Sequence, residues 1–167
     1  IGIYSNGVNG TNSNIDIAGK INPDKDKTIG IYAVNGPTVD TKDGTFMDFG
    51  TNAKNSIGLY LAGSKWIHDF NNSGTSINFT SDHAKKNIFA YMQGSKDGNG
   101  IKESSIALGK EFKVSPTGTA SAIARTIGIY MDTAVKDGGS GEYANNTLTE
   151  TGSAGSIVVE KQGIGVY

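Results

Sequence analysis

The chain has 167 residues, a formal net charge of −1 and no cysteine. That length suits a single domain; the balanced charge without a basic block argues against nucleic acid as the main partner; the lack of cysteine excludes a zinc–thiolate or disulfide framework. Glycine supplies 24 residues, about twice its usual ~7% share, which fits many sharp corners rather than disorder.

The first predicted element is the strand-like phrase Ile1-Gly2-Ile3-Tyr4, followed by the turn formers Asn6-Gly7 and Asn9-Gly10 and an alternating run over 14–18. The phrase returns as Ile29-Gly30-Ile31-Tyr32, with turns at Asn35-Gly36-Pro37 and Asp43-Gly44 and a second run over 45–49. Ile57-Gly58-Leu59-Tyr60 comes third, with the turn Asn72-Ser73-Gly74 and a run over 76–79. Ile88-Phe89-Ala90-Tyr91 is a looser copy, followed by Asp97-Gly98-Asn99-Gly100 and a run over 105–108. Ile127-Gly128-Ile129-Tyr130 precedes Asp137-Gly138-Gly139 and a run over 156–160, and Ile164-Gly165-Val166-Tyr167 is the last copy.

The tyrosines of these phrases recur in steps of 28, 28, 31, 39 and 37 residues. A period in this range marks a repeat architecture in which each unit is one supersecondary element. Period-two alternation makes the units strands, two or three per repeat, joined by corners. A propeller needs a longer and steadier period, and a leucine-rich solenoid needs a motif that this chain lacks. Unequal steps suit stacked coils, because surplus residues can leave a corner without disturbing the stack. The expected fold is all-β: a right-handed parallel β-helix, a solenoid of five to six coils in one domain spanning 1–167. The chain starts inside one phrase and stops on the tyrosine of another, without the polar caps of a solenoid. It is therefore expected to be an uncapped segment of a larger protein.

The register follows from alternation. Ile3, Ile31, Leu59, Ile129 and Val166 are expected inside, with Gly and Tyr on the opposite face. In a parallel in-register stack the tyrosines form a ladder, covering backbone that the glycines leave bare. No apolar stretch reaches the ~20 residues that span a bilayer.

The recurring Gly30-Ile31-Tyr32 and Gly128-Ile129-Tyr130 phrases, with their Asn/Gly corners and Ile-x-Ile runs, resemble the passenger repeats of large fusobacterial autotransporter adhesins. The resemblance covers essentially the whole chain. It implies a bacterial cell-surface location, export through an outer-membrane β-barrel outside this segment, and no membrane contact in the segment itself. It implies adhesion to a host-cell or bacterial surface glycan or protein. Phe89 in place of glycine and the longer intervals after Tyr91 and Tyr130 depart from the pattern.

Chemistry is sparse. The alternative to an adhesin is a β-helical polysaccharide lyase or hydrolase, or a phage tail-fibre depolymerase. Arg125 is the sole arginine, and a lyase would also need an acidic calcium cluster. Asp16, Asp48 and Asn78 fall at comparable places in successive runs, so two carboxylates could stack, as a hydrolase requires. His68 beside Asp69 and His83 beside Asp82 do not chelate readily, since neighbours on a strand point opposite ways. Asp97–Gly100 lacks the later acidic ligand of a calcium loop and reads as a corner. There is no Gly-x-Ser-x-Gly elbow. No cofactor and no catalytic residue is expected. Binding is expected where the period breaks: at Lys65, Trp66 and His68, in the excursion 93–103, and in the excursion 132–146 with Tyr143.

Overall fold

Each repeat phrase becomes a strand because β-branched and aromatic side chains fit a pleated surface, and each strand ends where Asn, Gly or Pro turns the chain. The computed structural model describes residues 1–7, 13–68, 74–121, 124–150 and 155–167. The first sheet contains β1 (Ile3–Asn6), β3 (Ile29–Val34), β5 (Ile57–Ala62), β8 (Ile88–Asp97), β12 (Ile127–Lys136) and β15 (Ile164–Val166), hydrogen-bonded in that order. The second contains β2 (Asn14–Ile17), β4 (Thr38–Thr41), β6 (Lys65–His68), β10 (Ser105–Leu108) and β13 (Thr147–Glu150). The third contains β7 (Ile77–Phe79), β11 (Glu111–Val114) and β14 (Ser156–Val159). All pairings along these paths are parallel, and each strand meets its counterpart in the next repeat. The fold is thus all-β with parallel sheets. Among the described residues helical structure is limited to the 3-10 turn His83–Lys85, and no helix is long and apolar enough to cross a membrane.

The third sheet corrects the reading of the second runs. Residues 14–17 and 105–108 belong to the second sheet, whereas 77–79 and 156–159 belong to the third. The strands at Thr38–Thr41, Lys65–His68, Glu111–Val114 and Thr147–Glu150 complete the pattern. Residues 45–49 form no strand. The Asp43 carboxylate accepts from the Thr45 backbone N–H and hydroxyl, both at 2.8 Å, and curls the chain there. Met47 then makes a single bridge to Ile21. Asp16 therefore lies beside Asp40, and Asn78 beside Lys113, so Asp16, Asp48 and Asn78 do not form one column.

The core is a narrow apolar filling between the three sheets. Ile31, Leu59 and Ile129 are fully buried as the alternation requires, as are Ala33, Leu61 and Met92 after the tyrosines. Ile3 is half-buried against this core, and Val166 is 43% exposed because no described strand covers the far side of β15. Alternation breaks at the glycine, however. A Cβ on Gly30 would lie 2.7 Å from the Gly58 carbonyl oxygen and 3.0 Å from Met47. On Gly128 it would meet Phe112 and Val114 at 2.7 Å. The glycines thus face inward at a corner packed under core side chains, not outward beneath the tyrosines. The first isoleucine of each phrase (Ile29, Ile57, Ile88, Ile127, Ile164) is correspondingly only half-buried. Phe89 takes the glycine position in the fourth repeat and fills it. Its ring lies 5.1–5.8 Å from Phe112, Phe79, Phe46 and Trp66.

Corners satisfy their backbone donors from the next repeat, as buried N–H groups require. Thr28 N–H donates to Ser56 Oγ at 3.1 Å, and Ser56 N–H to Asn87 Oδ1 at 3.0 Å. Ser64 N–H donates to Ser104 Oγ at 3.1 Å, and Ser104 N–H to Asn146 Oδ1 at 2.7 Å. This explains small polar residues immediately before the strands of the first two sheets.

Candidate functional site

The four residues singled out from the sequence do not converge. Trp66 and His68 are wholly buried, because the inward positions of β6 fall on them; Lys65 is exposed on the same strand. Trp66 Nε1–H donates to Thr41 Oγ1 at 2.9 Å. His68 Nε2–H donates to the Thr75 carbonyl at 2.7 Å, so Nδ1 is the acceptor for the Thr41 hydroxyl at 2.9 Å. The two rings are core side chains tied together by Thr41, and a surface binding role for them is corrected by this burial. Asp69, beside His68, lies outside the described residues. Tyr143 is 69% exposed on the second excursion. His83 is also buried: its Nε2–H donates to the Lys161 carbonyl at 3.0 Å, and its Nδ1 accepts from Thr126 N–H at 3.1 Å.

The two excursions form one ordered structure. Beyond the corner where its neighbours turn, β8 continues straight and folds back antiparallel onto β9 (Gly100–Lys102). Asp97 to Gly100 is the hairpin turn, held by Asn99 N–H on Asp97 Oδ1 at 2.8 Å, with Gly100 at φ 110°. The end of β12 bulges at residues 132–134 and then pairs with Gly94 and Ser95. Lys96 and Glu142 pair at 2.5 Å, and Lys102 reaches Asp97 at 2.7 Å and the Asn35 carbonyl at 3.1 Å. Asn146 Nδ2 donates to the Asp132 carbonyl at 2.6 Å.

Outward-facing residues form columns along the stack. Tyr4, Tyr32, Tyr60, Tyr91, Tyr130 and Tyr167 make a continuous ladder with ring centroids 4.8–5.5 Å apart. The last four rings are stacked face to face, 15–26° from parallel. Their faces cover one another, so the ladder presents ring edges and hydroxyls. Tyr60 OH accepts from Gln93 Nε2 at 2.6 Å, and Tyr91 OH donates to Asp132 Oδ2 at 2.7 Å. Burial pushes Tyr60 up to about 12. Burial, and then the Asp132 carboxylate, push Tyr91 higher still. Neither phenol is poised to act as an acid or base near neutral pH.

Among the grooves of the described residues, two bear on function. One, of about 500 Å³, is lined by Asp16, Ile17 and Asp40 on the second sheet and by Ala18, Lys42 and Asp43 just beyond its strands. Hydrogen bonds from Thr45 hold the Asp43 carboxyl below the usual range. Asp16 and Asp40 stand side by side in register, Asp16 exposed and Asp40 half-buried. Among the described residues no group of three or more His, Asp or Glu side chains is placed to hold a metal ion.

The second groove, of about 320 Å³, runs between the tyrosine ladder and the corner that precedes the first sheet. Tyr130 and Tyr167 form one wall, Ile88, Ile127 and Ile164 the floor, and Lys86 and Arg125 the other wall. Lys86 and Arg125 belong to a column two residues before each first isoleucine: Lys27, Asn55, Lys86, Arg125 and Gln162. Lys27, Asn55, Lys86 and Gln162 adopt left-handed φ values of 49–60°. The sequence reading missed this column, although its fixed offset from the repeat phrase was a visible signal. No protein-family model, curated protein or solved structure matches this chain.

Proposed function

We propose that this chain is a right-handed parallel β-helix segment of a bacterial surface adhesin of the autotransporter type, mediating attachment to host cells or partner bacteria. The observation that carries the reading is the in-register ladder of six tyrosines on a stack of parallel strands. Such a stack is a rigid rod with a long repetitive face, and a rod that projects a face serves attachment better than chemistry. Several groups that could do acid–base work are withdrawn from it: burial holds Tyr60 and Tyr91 protonated near neutral pH, and His68 and His83 are buried in the core. The parallel pairing and the repeat resemblance support the β-helix, and the general rule for parallel connections supports its hand. The resemblance alone supports the surface location.

The test is direct. The purified chain should bind human epithelial cells or bacteria from a mixed community, saturably, and a glycan and surface-protein array should return a discrete receptor set. The Asp16–Asp40 pair favours one competing reading, a carbohydrate-active enzyme. Release of reducing or unsaturated sugar ends from polysaccharides, abolished by Asp40→Asn, would replace the adhesin reading with that one. A solution mass of three chains would favour a phage fibre.

A further inference from the structure

We propose that the groove between the tyrosine ladder and the Lys86–Arg125 corner binds a linear acidic glycan laid along the stack axis; the proposal rests on the attachment reading above and names its ligand class. The argument begins with charge. The chain as a whole carries −1, yet both charged side chains lining this groove are cations. Arg125 donates one guanidinium N–H to the Gln162 carbonyl at 3.0 Å, which braces it across the corner while leaving further donors for a carboxylate. Lys86 stands one repeat away on the same column, at φ 55°, with its side chain exposed.

The shape of the groove narrows the ligand further. Its elements repeat once per coil, about 4.8 Å apart, the strand spacing of a sheet. An extended polysaccharide presents a comparable repeat: a carboxylate or hydroxyl edge and a C–H face in each unit. The aliphatic floor of Ile88, Ile127 and Ile164 suits the C–H face, the phenol edges suit hydroxyls, and the cations suit carboxylates. An extended peptide is a poorer match. Strand addition needs an open sheet edge, whereas this groove lies on the flat side of a sheet whose backbone bonds run between coils. A helical peptide would set an apolar face against cations and phenol hydroxyls.

The experiment measures binding of the chain to polygalacturonate, hyaluronan and polysialic acid, with methyl-esterified polygalacturonate and duplex DNA as comparators. We expect at least one acidic glycan to bind, about tenfold or more tighter than the ester, and more weakly as salt rises. The double variant K86Q/R125Q should lose about tenfold or more of that affinity. Arg125→Lys should recover only part of it, since lysine cannot pair bidentately. Both substitutions are at the surface, and an unchanged circular dichroism spectrum and Tm would confirm the fold. The proposal is overturned if none of the three glycans binds, if the ester or DNA binds as tightly, or if a folded double variant binds unchanged. Cell attachment is measured in parallel. Attachment retained in full by a double variant that has lost glycan binding would remove this groove from attachment and keep the adhesin reading. A wild-type chain that binds an acidic glycan but attaches to no cell would keep the groove and remove the adhesin reading.

Discussion

Replacing Thr41 by valine tests whether Trp66 and His68 are structural. The substitution keeps the side-chain shape and removes one oxygen. That oxygen accepts from Trp66 Nε1–H at 2.9 Å and, through its proton, serves His68 Nδ1 at 2.9 Å. The other outlet for the proton, the Ile67 carbonyl, is at 3.5 Å, so the histidine is the better acceptor. Thr41, Trp66 and His68 are all at most 1% exposed, so water cannot replace the missing partner. A buried polar group left unpaired costs about 1–3 kcal/mol; Trp66 Nε1–H loses its acceptor and His68 Nδ1 loses its Thr41 donor. With the saved desolvation of the hydroxyl subtracted, the expected loss is about 2–4 kcal/mol. Thr41→Ser keeps the hydroxyl and loses one methyl, so it should cost only about 1 kcal/mol. Guanidinium unfolding followed by fluorescence reads the site directly, because Trp66 is the sole tryptophan. A Thr41→Val loss below about 1 kcal/mol, or one no larger than that of Thr41→Ser, would refute the relay.

Phe89→Ala should cost about 3–5 kcal/mol in the same assay, because four aromatic rings would face a void that three sheets cannot collapse into. Gly128→Ala should cost about 1–3 kcal/mol, since the new methyl would meet Phe112 and Val114 at 2.7 Å and the Gly165 carbonyl at 2.8 Å; unchanged stability would mean that the corner yields. Stability should fall as pH rises from about 10 to about 12, because Tyr60 stays protonated in the fold up to about 12 while the unfolded phenol ionises near 10. Tyr60→Phe should reduce that loss in urea midpoints measured across the window. Asn146→Ala should speed hydrogen exchange across 93–104 and 132–146, since its amide ties Ser104 to Asp132; exchange confined to one excursion would mean that they fold separately.

The repeat was legible because stacking in register forces equivalent positions to recur. Tyr32 pairs with Tyr60 and Ile31 with Leu59, as the phrase spacing required. The third sheet was less legible, because Phe112 and Val114 in β11, like Val39 in β4, alternate without a shared phrase. The glycine was misplaced for a physical reason. Period-two alternation assumes a straight strand, and between Gly30 and Ile31 the chain turns two successive residues inward. Corners also used residues that composition would not flag. Lys27 and Lys86 hold left-handed backbone that turn chemistry assigns to Gly or Asn. Trp66 and His68 were expected to bind because the period breaks near them, and nothing local reveals that Thr41, a repeat away, meets both rings in the core.

The same geometry explains why function is written more faintly than fold. An inward position has little latitude: a charge at Ile31, or a methyl at Gly128, meets packed neighbours on every side. The tyrosine column is nearly as constrained, since each ring is the packing surface of the next. The corner column is tied more lightly, by single bonds such as Arg125 to the Gln162 carbonyl and Asn55 Nδ2 to Asp26 Oδ1 at 3.1 Å. Lys27, Asn55, Lys86, Arg125 and Gln162 share one offset and little chemistry, because a solvated corner tolerates any side chain that accepts its backbone. Freedom from packing is what allows a column to be shaped by a ligand. The stretch where that column turns cationic, at Lys86 and Arg125, is also where the groove beside the ladder opens. A residue there can change at little cost to the core, so K86Q and R125Q probe the proposed groove without removing what holds the stack together.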